Sequence, residues 1–261
     1  MKSPIETIEL AFEEFGSETN PSLIILHGFF ASSRNWRQVA EKLSDQYRVF
    51  VLDQRNHGAS SHHKMMDYPS MTADLLNFIN HQNLKTVSLL GHSMGGKVAM
   101  WFALNHRDRI SKLIVADIAP VCYGHQFDKL ISALKDVPLA ELNNRKQAEE
   151  YLLSAIPDLS YRQFLLQNLM LRQGSYEWRV DLGIFQANAA NIVAFPDCTG
   201  LPAFMGEMQV VAGSRSNFVK PGDFNDCFPT AQFHWIADAG HWLHVEKPAA
   251  FLEQLRIFLS L

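Results

Sequence analysis

Glycine and serine are spaced as Gly91-His92-Ser93-Met94-Gly95-Gly96 between a strand-like run, Val87-Ser88-Leu89-Leu90, and a helical run from Lys97 to His106. A G-x-S-x-G turn placed between a strand and a helix is too tight for bulky neighbours, and it leaves the serine hydroxyl exposed above the sheet. Ser93 is therefore the candidate nucleophile. Elsewhere the same pattern often marks an ordinary turn, and it is the flanking strand and helix that give it chemical meaning here. A serine hydroxyl is a weak nucleophile near neutral pH, so an imidazole must take its proton and a carboxylate must orient that imidazole. Late in the chain, Phe233-His234-Trp235-Ile236 reads as a strand and Ala237-Asp238-Ala239-Gly240-His241 as the loop after it, before a helix opens at Lys247-Pro248. Reactive groups of an open parallel sheet gather at the carboxyl ends of its strands, which makes His241 the candidate base. His244, beside the helix start, competes with it, and its alternative role is structural.

The acid requires a choice. Serine hydrolases with this turn usually carry it after the penultimate strand, in a segment like G-x-x-D-x-x-V. The matching stretch, Gly213-Ser214-Arg215-Ser216-Asn217-Phe218-Val219, puts Ser216 where the aspartate would stand. The other position from which a carboxylate can reach the imidazole is the end of the strand after the nucleophile helix. There Lys112-Leu113-Ile114-Val115-Ala116 terminates in Asp117, the candidate acid. A helix-capping or loop-bonding role is its alternative. Asp223 and Asp226 are later possibilities, and Asp238 sits close enough to His241 to suit local capping. Attack on a carbonyl also creates an oxyanion that needs preorganised donors. The backbone N–H of Met94, directly after the serine, is one candidate. The N–H of Phe29, in the His27-Gly28-Phe29-Phe30 loop after the strand Leu23-Ile24-Ile25-Leu26, is the other.

Holding such groups in place requires a scaffold, and the chain spells one out. Besides the runs already named, strands are expected at Tyr47 to Leu52, Thr86 to Leu90, Lys112 to Ala116, Met208 to Ala212 and Gln232 to Ile236, with a strand pair around Ile5 to Phe15. Helices lie between them, among them Thr72 to His81, where Leu75, Leu76 and Ile79 recur at helical spacing. This alternation predicts an α/β fold with a mostly parallel sheet covered by helices on both faces. From Ala119 to about Pro202 the alternation stops. Apolar stripes at Phe127, Leu130, Ile131 and Leu134, at Tyr151, Leu152 and Ala155, and at Phe164, Leu165 and Leu169 predict helices forming a cap over the site. The expected organisation is thus a core in two parts, residues 1–119 and 203–261, with a helical cap at 120–202. Phe30, Trp178 and Trp242 are the aromatic candidates for lining a substrate pocket.

The motifs His27-Gly28-Phe29-Phe30, Asp53-Gln54-Arg55-Asn56-His57-Gly58-Ala59-Ser60, Gly91 to Gly96, Asp117-Ile118-Ala119-Pro120, Ser216-Asn217-Phe218-Val219 and Ala239-Gly240-His241-Trp242-Leu243-His244 together resemble the α/β-hydrolase superfamily, and within it the small YbfF-type esterases. The pairing of the Asp117 segment with Ser216 is the discriminating part. The resemblance implies the α/β-hydrolase fold and hydrolysis of carboxylic esters or acyl thioesters such as acyl-CoA, with the acid placed after the earlier strand. The expected reaction is acyl transfer through an acyl-enzyme on Ser93, with short to medium acyl chains and no metal or organic cofactor. Alternatives are another reaction on the same framework, such as C–C bond hydrolysis or lactone opening, or a slow derivative that binds a small molecule.

Composition narrows the classes further. A chain of 261 residues that is 47% hydrophobic can bury a substantial core. A formal net charge of -4 offers no basic footprint for nucleic acid. No apolar run reaches the length needed to span a bilayer, and Met1 to Leu10 lacks a secretory profile, so membrane insertion is not expected and a cytoplasmic setting is. Cys122, Cys198 and Cys227 are widely spaced without metal or redox motifs, which suggests reduced, structural thiols. The Asp53 to Gly58 loop is expected to brace the scaffold, and His62-His63 to be solvated.

Overall fold

The computed structural model describes residues 5–124 and 127–259. Its seven-stranded sheet runs β1 (Phe12–Phe15), β3 (Arg48–Leu52), β2 (Ser22–Leu26), β4 (Val87–His92), β5 (Ile110–Ala116), β8 (Glu207–Gly213) and β9 (Gln232–Ile236), all parallel except β1. A strand buried on both faces has no polar side, which is why β2, β3 and β5 read as continuous apolar runs rather than as alternations. Their side chains divide by pleat. Ile24, Leu26, Phe50, Leu52, Leu113 and Val115 join one core, while Leu23, Ile25, Val49, Val51, Ile114 and Ala116 join the other. The helices α1 (Arg37–Leu43) and α9 (Pro248–Leu259) cover the second face, with Val39, Leu43, Phe251 and Leu255 buried in that core. On the first face lie α2 (Tyr68–His81) and α3 (Met94–Asn105). The Asp67 carboxylate caps α2 by accepting from the Ser70 N–H at 2.8 Å, which starts that helix a turn earlier than its apolar spacing alone indicates.

Two expectations about elements need correction. The amino-terminal strand pair is a single strand, β1. Ahead of it, the Ile8 and Ala11 amides donate to the Asp74 carboxylate and the Ser60 hydroxyl, so side chains take the bonds that a second strand would have used. The insertion between β5 and β8 is also not wholly helical. It contains α4 (Asp128–Lys135), α5 (Arg145–Tyr151), α6 (Leu159–Leu166) and α7 (Leu182–Val193), and between the last two a hairpin of β6 (Leu169–Arg172) and β7 (Ser175–Trp178). Gln173 and Gly174 both take positive φ, 50° and 83°, in the two-residue turn that matches strand twist. Leu169 therefore belongs to a strand and not to the helical stripe of Phe164 and Leu165.

The two ends of the insertion meet on α3. The Lys97 ammonium donates to the carbonyls of Val121, Val193 and Ala194 at 2.8, 2.8 and 2.7 Å, so all three of its protons are used. Burial pushes its pKa down to about 7. Farther along, Cys198 and Cys227 form a disulfide that joins the returning segment to the loop before β9. The expectation of three reduced thiols is thereby overturned, and only Cys122 is free. Among the described residues no helix is long and apolar enough to cross a membrane.

Candidate active site

The strand β4 ends at His92, and Ser93 follows with φ 53° and ψ −121° before α3 begins. Few non-glycine residues adopt such a conformation, and its presence at a strand-to-helix turn points to function. The crowding is severe. A Cβ at Gly91 would lie 2.3 Å from the Gly95 carbonyl oxygen, and one at Gly95 would lie 2.2 Å from that of Leu26. Those two glycines are what permit the turn.

Asp117 follows β5 directly, is fully buried and also has positive φ, 50°. Its Oδ2 accepts from His241 Nδ1–H at 2.7 Å and from the Ser216 hydroxyl at 2.5 Å, while Oδ1 accepts from the Gly213 N–H at 3.0 Å. Because β5 and β8 are adjacent and in register from Lys112 against Glu207 to Ala116 against Val211, their two following loops converge on one point. A carboxylate from the β5 loop thus reaches the imidazole from beside the position where one from the β8 loop would have stood. Asp223, Asp226 and Asp238 do not bond to His241 among the described residues, and the last two are exposed.

His241 is held from several sides. Its carbonyl accepts from His92 Nε2–H at 2.8 Å, and the Phe218 ring packs on the imidazole at 4.4 Å between centroids. Phe218 is fixed in turn by the Tyr123 hydroxyl, which donates to its carbonyl at 2.5 Å. Neither Phe218 nor Tyr123 stands out in the sequence, because each acts through a backbone or ring contact that only the fold creates. Burial holds His92 neutral, with its pKa well below the usual histidine value. The competitor His244 lies stacked on Trp36 at 4.1 Å and is pushed down to about 3, first by burial and then by His241. Its Nδ1 has no hydrogen-bond partner among the described residues, so no carboxylate orients it as Asp117 orients His241.

The Phe29 loop follows β2. Phe30 sits at φ 62° with its backbone clamped from both directions. Its N–H donates to His57 Nε2 at 3.2 Å, and its carbonyl accepts from Asn168 Nδ2 at 2.8 Å. Since His57 Nδ1–H donates to the Arg55 carbonyl at 2.9 Å, its Nε2 is free to accept. The neighbouring N–H of Phe29 donates to no protein acceptor among the described residues, nor does that of Met94 at the first position of α3, where helices leave such groups unpaired. The Asp53 to Gly58 loop is a brace. The Asp53 carboxylate accepts from the Ser33 and Ala59 amides at 2.7 and 2.8 Å, and Arg55 forms a fully buried two-pronged pair with Asp74.

Ser93, His241, Phe29 and Met94 share the wall of one cavity of about 760 Å³. The Ser93 hydroxyl makes no hydrogen bond among the described residues, and contacts of this kind tighten when substrate binds. Its apolar lining includes Ile118, Tyr123, Phe127, Ile192, Val193 and Phe218. Tyr161, Phe164 and Trp242, with ring centroids 5.5 to 6.2 Å apart, also line it, together with polar Asn35 and Gln167. Phe30 and Trp242 line this cavity, and Trp178 does not. It stands on β7 opposite Leu169, half-buried against the core that the insertion shares with the first face of the sheet. A serine at a strained elbow, a carboxylate-bound imidazole and two unpaired amides can together attack a carbonyl, hold the resulting oxyanion and protonate a leaving group.

Residues 21–248 match the family described as the alpha/beta hydrolase fold. Over 269 residues the chain is 34% identical to the sn-1-specific diacylglycerol lipase ABHD11 of Danio rerio, spanning 99% of this chain and 84% of the lipase. It is 32% identical over 245 residues to the esterase YbfF of Escherichia coli strain K12, spanning 92% and 94%. A solved marine microorganism esterase superposes with a TM-score of 0.92 at 38% identity, covering 97% of this chain and all of that one. The chain belongs to the α/β-hydrolase fold family, and within that family it is an enzyme of the esterase and lipase kind.

Proposed function

We propose that this carboxylic ester hydrolase works by two-step acyl transfer through Ser93. His241 takes the Ser93 proton as the hydroxyl attacks the ester carbonyl. The Phe29 and Met94 amides hold the oxyanion, and His241 then gives its proton to the leaving alcohol. Water, activated by the same imidazole, releases the acid and restores the serine. Asp117 keeps Nδ1 protonated, so that Nε2 is free to accept, and it stabilises the imidazolium. The observation that carries this reading is the convergence of Asp117 on His241 at 2.7 Å in the cavity that Ser93 lines.

Residues 120–202 act in this reading as a cap whose apolar residues bound the acyl side of the cavity. Its volume, at the upper part of the usual range for small-molecule sites, suits acyl chains of short to medium length. The diacylglycerol lipases among the relatives bring glycerol esters into range as substrates. Thioesters such as acyl-CoA fall under the same chemistry, since the attacked carbonyl is equivalent. The test is hydrolysis of p-nitrophenyl esters from acetate to decanoate by wild type and Ser93→Ala in parallel. Turnover lost in Ser93→Ala, with labelling of the wild type by a fluorophosphonate at Ser93, is the expected outcome. Turnover that survives in Ser93→Ala refutes the assignment.

A further inference from the structure

A second cavity, of about 550 Å³, adjoins the first and shares Phe30, Asn35 and Gln167 with it. Its wall holds three arginines from separate parts of the chain: Arg34 after the Phe29 loop, Arg145 at the start of α5, and Arg179 just past β7. Among the described residues no carboxylate lines it. Among the described residues the Arg34 and Arg179 guanidinium groups donate no hydrogen bond, and Arg145 donates only to the Leu169 carbonyl. None of the three forms a salt bridge among the described residues; Glu13, which feels the charge of Arg34, is held in two-pronged fashion by Arg37. Three unpaired guanidinium groups around one hollow concentrate positive charge on a chain whose net charge is -4. Such a concentration attracts an anion.

The position of the hollow says what kind of anion. The wall between the two cavities is the Asn35–Gln167 pair, in which Asn35 Nδ2 donates to Gln167 Oε1 at 2.8 Å. Asn168 Nδ2 is spent on the Phe30 carbonyl, and the charged donors beyond that wall are the arginines. The apolar lining of the first cavity, with Phe218 and the α7 residues Ile192 and Val193 among it, suits an acyl chain, so a substrate that reaches across the wall does so with its leaving group. Guanidinium forks match phosphate oxygens in geometry and charge, and a terminal phosphate offers three such oxygens at once.

Building on the acyl-transfer reading above, we propose that the arginine-lined cavity binds a phosphate carried on the leaving alcohol, so that the preferred substrates are esters of phosphorylated alcohols. The test compares 1-butyrylglycerol 3-phosphate with 1-butyrylglycerol, which differ only in the phosphate. Titration calorimetry on Ser93→Ala is run with ester hydrolysis followed in the same sample, so that residual turnover counts against the nucleophile assignment and the difference in affinity alone judges the arginine cavity. The phosphorylated ester is expected to bind at least about tenfold more tightly, the scale of one or more charge-assisted hydrogen bonds. That preference should fall toward unity in Ser93→Ala/Arg34→Gln/Arg179→Gln and weaken between about 0.05 and 0.5 M salt, since the arginines are largely exposed. The Arg34 and Arg179 side chains make no hydrogen bond or salt bridge among the described residues, so affinity for the neutral ester should not change. Equal affinity for the two esters, or a preference unaltered by the replacements, overturns the proposal. So does inorganic phosphate binding as tightly as the phosphorylated ester, which would make the hollow a site for a free anion.

Discussion

Replacing Asp117 by asparagine should abolish most turnover while leaving the fold in place. Asparagine tolerates the left-handed backbone that Asp117 occupies at φ 50°, and its amide oxygen can keep the bond from the Gly213 N–H. The change falls on the other atom. Where Oδ2 accepts from His241 Nδ1–H at 2.7 Å and from Ser216 at 2.5 Å, an NH₂ group must donate. The Ser216 hydroxyl can rotate to accept, but His241 can do so only at Nδ1, which moves its proton to Nε2, the atom that should receive the Ser93 proton. Loss of the working tautomer costs on the order of 10⁴ in kcat, about 5.5 kcal/mol of transition-state stabilisation. The loss of charge-assisted bonds should lower folding stability by only about 1–3 kcal/mol. The assay is kcat on p-nitrophenyl butyrate beside thermal unfolding by circular dichroism. Because Ser216 touches the same carboxylate oxygen, Ser216→Asp added to Asp117→Asn should restore at least about tenfold, as its acid enters reach of the imidazole. A kcat for Asp117→Asn within tenfold of wild type, in a folded protein, refutes the reasoning.

Acid should unfold this protein early. His244, at about 3 when folded against 6.5 ordinarily, binds its proton more readily once unfolded, so stability falls as pH drops below about 6.5, by about 2 kcal/mol at pH 5. The buried His27, His57 and His92 are lowered in the same direction, and denaturant midpoints measured between pH 7 and 5 would show it; a flat profile contradicts it. Opening the disulfide by Cys198→Ser/Cys227→Ser frees a loop whose ends are 29 residues apart and should cost about 3 kcal/mol in urea unfolding, with no loss equally decisive against it. Lys97→Met strips partners from carbonyls at both ends of the insertion and should lower stability by about 2–3 kcal/mol. Fluorophosphonate labelling of Ser93 should persist in that variant, because the elbow is set by Gly91 and Gly95.

The scaffold was legible because a parallel sheet buried on both faces writes itself as apolar runs such as Leu23 to Leu26, and because a crowded turn admits glycine alone on its flanks. The absence of a carboxylate at Ser216 likewise pointed to Asp117, and the structure puts that carboxylate on His241. What stayed hidden depends on partners distant in the chain. Cys198 and Cys227 carry no motif, and their pairing requires the insertion to return beside the β9 loop. The β6–β7 hairpin is short and follows a helical stripe whose periodicity runs into it. Trp178 reads as a pocket aromatic until its strand partner Leu169 turns it inward. The three arginines of the second cavity come from three segments, each of which reads as solvated surface when taken alone.

The bonds of Lys97 make the insertion a fastened module. Val121 and Val193 are 72 positions apart, yet one ammonium rooted a single turn beyond Ser93 holds both, together with Ala194. The excursion is therefore a closed loop anchored at its base, and its length and sequence can vary while the elbow stays still. Substrate range can diversify in the loop without renegotiating the chemistry beneath it. Toward α6 the module is fastened a second time, by Asn35 on Gln167 and Asn168 on the Phe30 carbonyl, so it is braced at the cavity mouth as well as at its base.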